Sequence, residues 1–166
     1  MSTNVERLQT AQWVLERNLG WIAAAETKVG VVVAIDTAML GGLGAAFSAA
    51  EVAVRTQYWA FLLTMAAAML LGVGLSFAAM AVLPRVAGPS KSLLFFGRVG
   101  SRTDFDYISH FKSASVDELL EDWTAQIHRN AQIACAKFKW VRLGMLWSFL
   151  AILPWFAAIA SLVQKP

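Results

Sequence analysis

Three long apolar stretches dominate the chain. Residues 29–50 hold one ionisable side chain, Asp36, and residues 56–84 and 143–164 hold no Asp, Glu, Lys or Arg. Each stretch reaches the roughly 20 residues needed to cross a hydrocarbon core about 30 Å thick. The pattern predicts three transmembrane helices. Two spans with a re-entrant or interfacial segment is the alternative.

The polar segments carry helical patterns of their own. In residues 4–28, Val5, Leu8, Leu15, Leu19 and Ile22 recur at spacings of three, four or seven, with Gln12 at a polar stripe position. This is an amphipathic helix running into the first span, and it serves either packing within the chain or pairing between copies. A second helix is expected to start at Ser115, where Ser115 and Glu118 have the spacing of a capping box. Asp117, Glu118, Glu121 and Asp122 follow at the end that favours anions. Leu120, Trp123, Ile127, Ala131, Ala134 and Phe138 form its apolar stripe, and Lys137, Lys139 and Arg142 close it at the membrane. No Gly or Pro interrupts residues 115–143, so this helix should continue into the third span. Between them, residues 87–90 read as a turn, Gly97 and Gly100 as a glycine-rich bend, and residues 104–111 as a short helix. No internal repeat or low-complexity segment is evident.

The fold expected is thus an all-α membrane protein. Its parts are an N-terminal amphipathic cytoplasmic helix (1–28), a transmembrane hairpin (29–84), a cytoplasmic linker and amphipathic helix (85–142), and a third transmembrane helix with its tail (143–166). Composition agrees: 58% of residues are apolar and 15% charged, against roughly 45–50% and 25% in soluble domains. Charge adds orientation. Nine of the 14 Lys and Arg lie between Arg85 and Arg142, and Arg7, Arg17 and Lys28 precede the first span, whereas the turn between spans one and two holds Arg55. Basic residues favour the cytoplasmic side, which places the N-terminus and the long loop inside and Lys165 outside. Tyr58 and Trp59 suit the outer interface and Trp140 the inner one. The charges of residues 1–28 argue against a cleavable signal peptide. The single Cys135 admits no intramolecular disulfide, and His110 and His128 lack the neighbours of a metal site.

Inside the membrane, Asp36 stands about two turns into span one. Ionisable groups at that depth usually face a bundle interior or water. With Thr37 it is a candidate for a polar gate lined by several copies, or else a structural carboxyl. Gly41, Gly42 and Gly44 allow close helix approach, and Pro154 removes a backbone bond from span three. No nucleophile, acid–base pair or metal-ligand spacing marks an active site, and no enzyme is expected.

Several short motifs in order resemble a known family. Residues 19–28 end on Glu26-Thr27-Lys28 just before the first span. Leu94-Phe95-Phe96-Gly97-Arg98-Val99 and Asp106-Tyr107 follow, then Leu119-Leu120-Glu121-Asp122, Gln126-Ile127-His128 and Ala136-Lys137-Phe138. Over residues 15–162 this resembles the Pycsar transmembrane effectors of bacterial antiphage defence. The resemblance implies a multi-pass protein of the bacterial inner membrane. It would impair that membrane when a uridylate or cytidylate cyclase makes cyclic UMP or cyclic CMP, its activating ligand. No separate β-roll nucleotide domain is present, so sensing falls to residues 85–142 with the N-terminal helix, or to a partner. For such a ligand, Arg98, Arg102, Lys112, His128, Arg129 and Lys137 offer cations, and Gln126 and Asn130 offer contacts for a base edge. For each of these cations, topology and lipid contact is the competing explanation. Other partners expected are the lipid bilayer and further copies of the chain in a homo-oligomer, with no nucleic-acid polymer and no other cofactor. A passive membrane anchor, or a small channel or transporter subunit for a soluble partner, remains the alternative.

Overall fold

The computed structural model describes residues 3–85 and 87–163; Lys165 lies outside them. The described residues form six helices: α1 (Asn4–Ala49), α2 (Val52–Arg55), α3 (Tyr58–Val82), α4 (Phe96–Val99), α5 (Asp104–Ser113) and α6 (Val116–Val163). Among the described residues there is no strand. Three helices, α1, α3 and α6, are long and apolar enough to cross a membrane. The chain divides into two compact units, Met1–Ala24 with Pro84–Ala136, and Ala25–Leu83 with Lys137–Pro166.

The apolar unit is a three-helix bundle with a regular seam. On α3 the buried positions are Ala60, Thr64, Ala67, Leu71, Gly74, Ala78 and Ala81, where steps of four and three alternate. Ala25, Val29, Val32, Asp36 and Leu43 on α1, and Lys137, Val141, Gly144, Ala151, Ala158 and Leu162 on α6, are buried at the same period. Seven residues per two turns keeps one face on its neighbours along a long helix. Most of these side chains are small, as close packing in lipid requires. One cluster joins Ala25, Val29, Val32, Ala78, Ala81 and Val141. Another joins Leu43, Ala60, Ala67, Ala158 and Leu162.

The closest crossing is made by glycines the sequence reading passed over. A Cβ on Gly144 would stand 3.3 Å from the Gly74 carbonyl oxygen. Gly41 and Gly44, expected to mediate close approach, have nothing within 4 Å of such a Cβ, and Gly42 meets the Trp155 ring at 3.5 Å. They lie on the exposed side of α1, because the 3.5-residue seam runs through Asp36 and Leu43 instead.

The polar unit combines the start of α1, the segment around α4 and α5, and the start of α6. Asn18 Nδ2 donates to the Ile127 carbonyl at 3.1 Å, and Asn4 Nδ2 reaches Asp117 at 3.4 Å. The inward face of α1 here is Leu8, Ala11, Leu15, Asn18 and Ile22, whereas Val5 and Leu19 of the expected stripe are 62% and 48% exposed. Continuation of the α1 seam period selects Ala11 and Asn18, small and polar residues that a hydrophobicity pattern overlooks. The glycine-rich bend is in fact one helical turn, α4, closed by Gly100 N–H on the Phe96 carbonyl at 2.9 Å. Gly88 lies under the Phe95 ring, where a Cβ would come within 2.6 Å of ring carbons.

The expected capping box is present. Glu118 Oε2 accepts from the Ser115 backbone N–H at 2.7 Å, and Ser115 Oγ accepts from the Glu118 N–H at 3.2 Å. The Ser115 N–H and hydroxyl, both donating to Glu118 Oε2, hold that carboxyl below its ordinary value of 4.5. A depressed carboxyl stabilises the fold above its unfolded value, and that contribution disappears as pH falls through the lower folded value. Acidification below pH 4.5 should therefore fray the first turn of α6, and Glu118→Gln should remove this pH dependence. Amide exchange at residues 116–119 measures both; equal pH dependence in the two proteins would exclude the linkage.

Candidate functional site

The polar unit contains a cleft of about 710 Å³ between the 89–93 turn, α5 and the first turns of α6. Its walls bring together Lys91 and Arg102 as cations and the His110 imidazole with Glu118, Glu121 and Asp122 as carboxylates. Local structure fixes most of them. Asp122 Oδ2 accepts the backbone N–H groups of Leu93 at 2.7 Å and Leu94 at 3.1 Å. Ser92, 2% exposed, accepts from the N–H groups of Leu94 and Phe95 and from Gln126 Nε2 at 2.9 Å. Opposite, Asp106 braces two side chains: its Oδ2 lies 3.8 Å from Arg102 Nη1, and its backbone carbonyl and Oδ1 lie 2.8 Å and 3.2 Å from His110 Nδ1. Asp106 itself sits in the first turn of α5, capped by Thr103 Oγ1.

Of the eight ligand candidates named from sequence, Arg102 lines this cleft. Gln126 supports its wall through Ser92 and is itself buried. Arg98 and Lys112 are exposed on α4 and α5. Arg129 Nε donates to the Ala87 carbonyl at 2.7 Å, His128 pairs with Gln132 at 2.9 Å, and Asn130 Nδ2 donates to the Gln126 carbonyl at 2.9 Å. Lys91, Ser92, His110 and Asp122 were not among those candidates. Asp122 read as a helix-dipole residue, and its bonds to residues 28 and 29 positions away leave no local signal.

Lys137 belongs to the apolar unit, at 5% exposure. Its ammonium donates to Glu26 Oε1 and to the Ala81 carbonyl, both at 2.9 Å. It thereby satisfies a carbonyl in the last turn of α3, the end that attracts cations, and ties α1, α3 and α6 together. Lys28 lies 5.1 Å above the Phe138 ring. The Glu26-Thr27-Lys28 and Lys137-Phe138 steps, 111 residues apart, therefore meet as one clasp.

Deeper in this unit Asp36 is fully buried, and its Oδ2 accepts from Ser148 Oγ at 2.8 Å. A Cβ on Gly74 would come within 2.8 Å of that oxygen. Thr37, the other gate candidate, is exposed on the outer face of α1. Trp155 Nε1 donates to the Met39 carbonyl at 2.8 Å. Among the described residues, no group of three or more His, Cys, Asp or Glu is placed to hold a metal.

An all-helical, multi-pass membrane protein with a charged, helical polar unit is the class these features define. The family model of the Pycsar effector protein domain matches residues 10–164. The chain belongs to that family of antiphage-defence effectors. It is similar to the Pycsar effector protein PtPycTM of Propioniciclava tarda, with 28% identity over 96% of this chain and 82% of the relative. No solved structure matches it.

Proposed function

We propose that the chain impairs the bacterial inner membrane when a cyclase makes a cyclic pyrimidine mononucleotide, and that it senses the messenger itself. The observation that carries this reading is the reach of the family match, whose residues 10–164 include the three apolar helices and the charged cleft alike. Helices α1 and α6 each contribute residues to both units without a break. A ligand that binds two arrangements of these helices differently shifts their balance. Cells expressing the chain should lose membrane potential when a uridylate or cytidylate cyclase is induced and keep it when a catalytically dead cyclase is induced. Equal potentials in the two cultures would refute the function.

The basic residues support an N-terminus in the cytoplasm. A C-terminal fusion to a reporter active only outside the cytoplasm should then be active, and a fusion near Ser101 silent; the reverse pattern would overturn this topology.

Membrane impairment is proposed to involve several copies. Gly30, Ala34, Thr37, Gly41, Gly44 and Ser48 line one exposed side of α1 at alternating steps of four and three. Small side chains at that period admit a second helix closely. Thr37 would lie between copies, and Asp36 within each.

A further inference from the structure

We propose that the cleft of the polar unit is the messenger site, and that it reads the ligand by two opposite chemistries. This rests on the function proposed above. The anionic phosphate falls to Arg102 and Lys91; an N–H donor on the base falls to Asp122 and Glu121.

The argument starts from the mixed lining. Glu118 caps α6, but a site built for phosphate alone gains nothing from Glu121 and the free oxygen of Asp122, which repel an anion. A cation site gains nothing from Lys91 and Arg102. A ligand carrying an anionic group at one end and an N–H edge at the other satisfies both halves. Cyclic UMP presents its ring N–H and cyclic CMP its exocyclic amine, each with one phosphate charge.

Unmet hydrogen-bonding capacity has the same polarity. Arg102 Nη1, 3.8 Å from Asp106 Oδ2, is a buried donor without a hydrogen bond, and Asp122 Oδ1 a buried acceptor without one, among the described residues. Both residues line the cleft. Buried polar atoms are seldom left in that state, and a ligand offering one acceptor and one donor completes both. Glu118 is engaged by Ser115, which leaves Glu121 and the free oxygen of Asp122 for the base.

The same geometry supplies a positioning residue and a path for the signal. Asp106 holds Arg102 and His110 against one carboxylate, which orients both without touching the ligand. Asp122 carries the Leu93 and Leu94 N–H groups on its other oxygen, and Ser92 in that turn bonds to Gln126 of α6. A ligand that takes up Asp122 Oδ1 therefore acts on the turn and on α6 together.

The test is calorimetric titration of the full chain in lipid nanodiscs with cyclic UMP, cyclic CMP and inorganic phosphate. Arg102→Gln and Lys91→Gln should each weaken nucleotide binding about tenfold or more, the scale of one charged hydrogen bond. Asp106→Asn should weaken it less, and Arg98→Gln and Lys112→Gln not at all. Glu121→Gln should change the ratio of the two nucleotide affinities. Lys91 is exposed, so its variant keeps the test valid if the Arg102 variant unfolds. Undiminished binding by both Arg102→Gln and Lys91→Gln would overturn the site while leaving the proposed function intact. Phosphate binding as tightly as either nucleotide would overturn the base-reading half. No binding by wild-type protein, in cells that still depolarise with an active cyclase, would place sensing in another protein and overturn the site.

Discussion

Gly74→Val should markedly deplete the folded protein in the membrane. The Cβ alone meets Asp36 Oδ2 at 2.8 Å, Ser148 Oγ at 3.0 Å and the Gly144 carbonyl oxygen at 3.4 Å. Asp36 can swing away only by abandoning the Ser148 bond, and it is fully enclosed. The γ-methyls of valine then press on the α6 backbone, which yields only if the helix moves. Overpacking of this kind costs about 1–3 kcal/mol and sometimes more. Gly74→Ala probes the site more gently, and its coupling to Asp36 is the sharper result. Asp36→Ala vacates the space the new Cβ needs, so the double variant should be more stable than the sum of the single losses implies, as for groups in contact. Thermal unfolding in detergent micelles measures the cycle. Strict additivity, or a valine variant that melts with wild type, would show that the crossing is looser than described.

Lys137→Met should destabilise the chain and make it leak without messenger. The side chain is 6% exposed and methionine fills much the same volume, so the change isolates the ammonium. What is lost is the donor to Ala81. A buried carbonyl left unsatisfied costs about 1–3 kcal/mol. The Glu26 half contributes less, because that carboxylate is 54% exposed and solvent screens it. If the chain acts as proposed above, loss of the tie between α1, α3 and α6 at this level should populate the membrane-impairing arrangement without ligand. Unfolding temperature and a potential-sensitive dye in cells lacking the cyclase give the two readouts. Wild-type behaviour in both would show that the clasp does not hold the resting arrangement.

The spans, the capping box of α6 and the short helix expected at residues 104–111 were legible because their signals are local and strong. The seam inside the spans was not. Where nearly every residue is apolar, hydrophobic periodicity vanishes, and only the spacing of small residues such as Ala60, Ala67, Gly74, Ala78 and Ala81 carries the 3.5-residue period. Gly41, Gly42 and Gly44 drew notice as a tight cluster, yet Gly74 and Gly144, isolated in their own helices, make the crossing. Lys137 illustrates the same limit from the polar side. Its sequence neighbours Lys139 and Arg142 suggest a basic rim, and only the fold turns it inward to Glu26 and Ala81. The cleft was the least legible of all. Arg102 was visible as a cation, but its partnership with Lys91, His110 and Asp122 depends on three separated segments folding together.

The polar unit is discontinuous, with Met1–Ala24 on one side of the hairpin and Pro84–Ala136 on the other, and this bears on how the chain is made. The first part leaves the ribosome roughly 110 residues before its partner segment is complete, an interval of about 5–20 s at ordinary rates of synthesis. During that time Leu8, Ala11, Leu15 and Ile22 have nothing to pack against. Trp13 and Trp21, 60% and 54% exposed even afterwards, add to the uncovered apolar surface. An amphipathic helix in that position can shelter on the bilayer surface itself, beside the translocation machinery that is inserting the hairpin. The residues that line the charged cleft are thus not all present until the start of α6 has been synthesised.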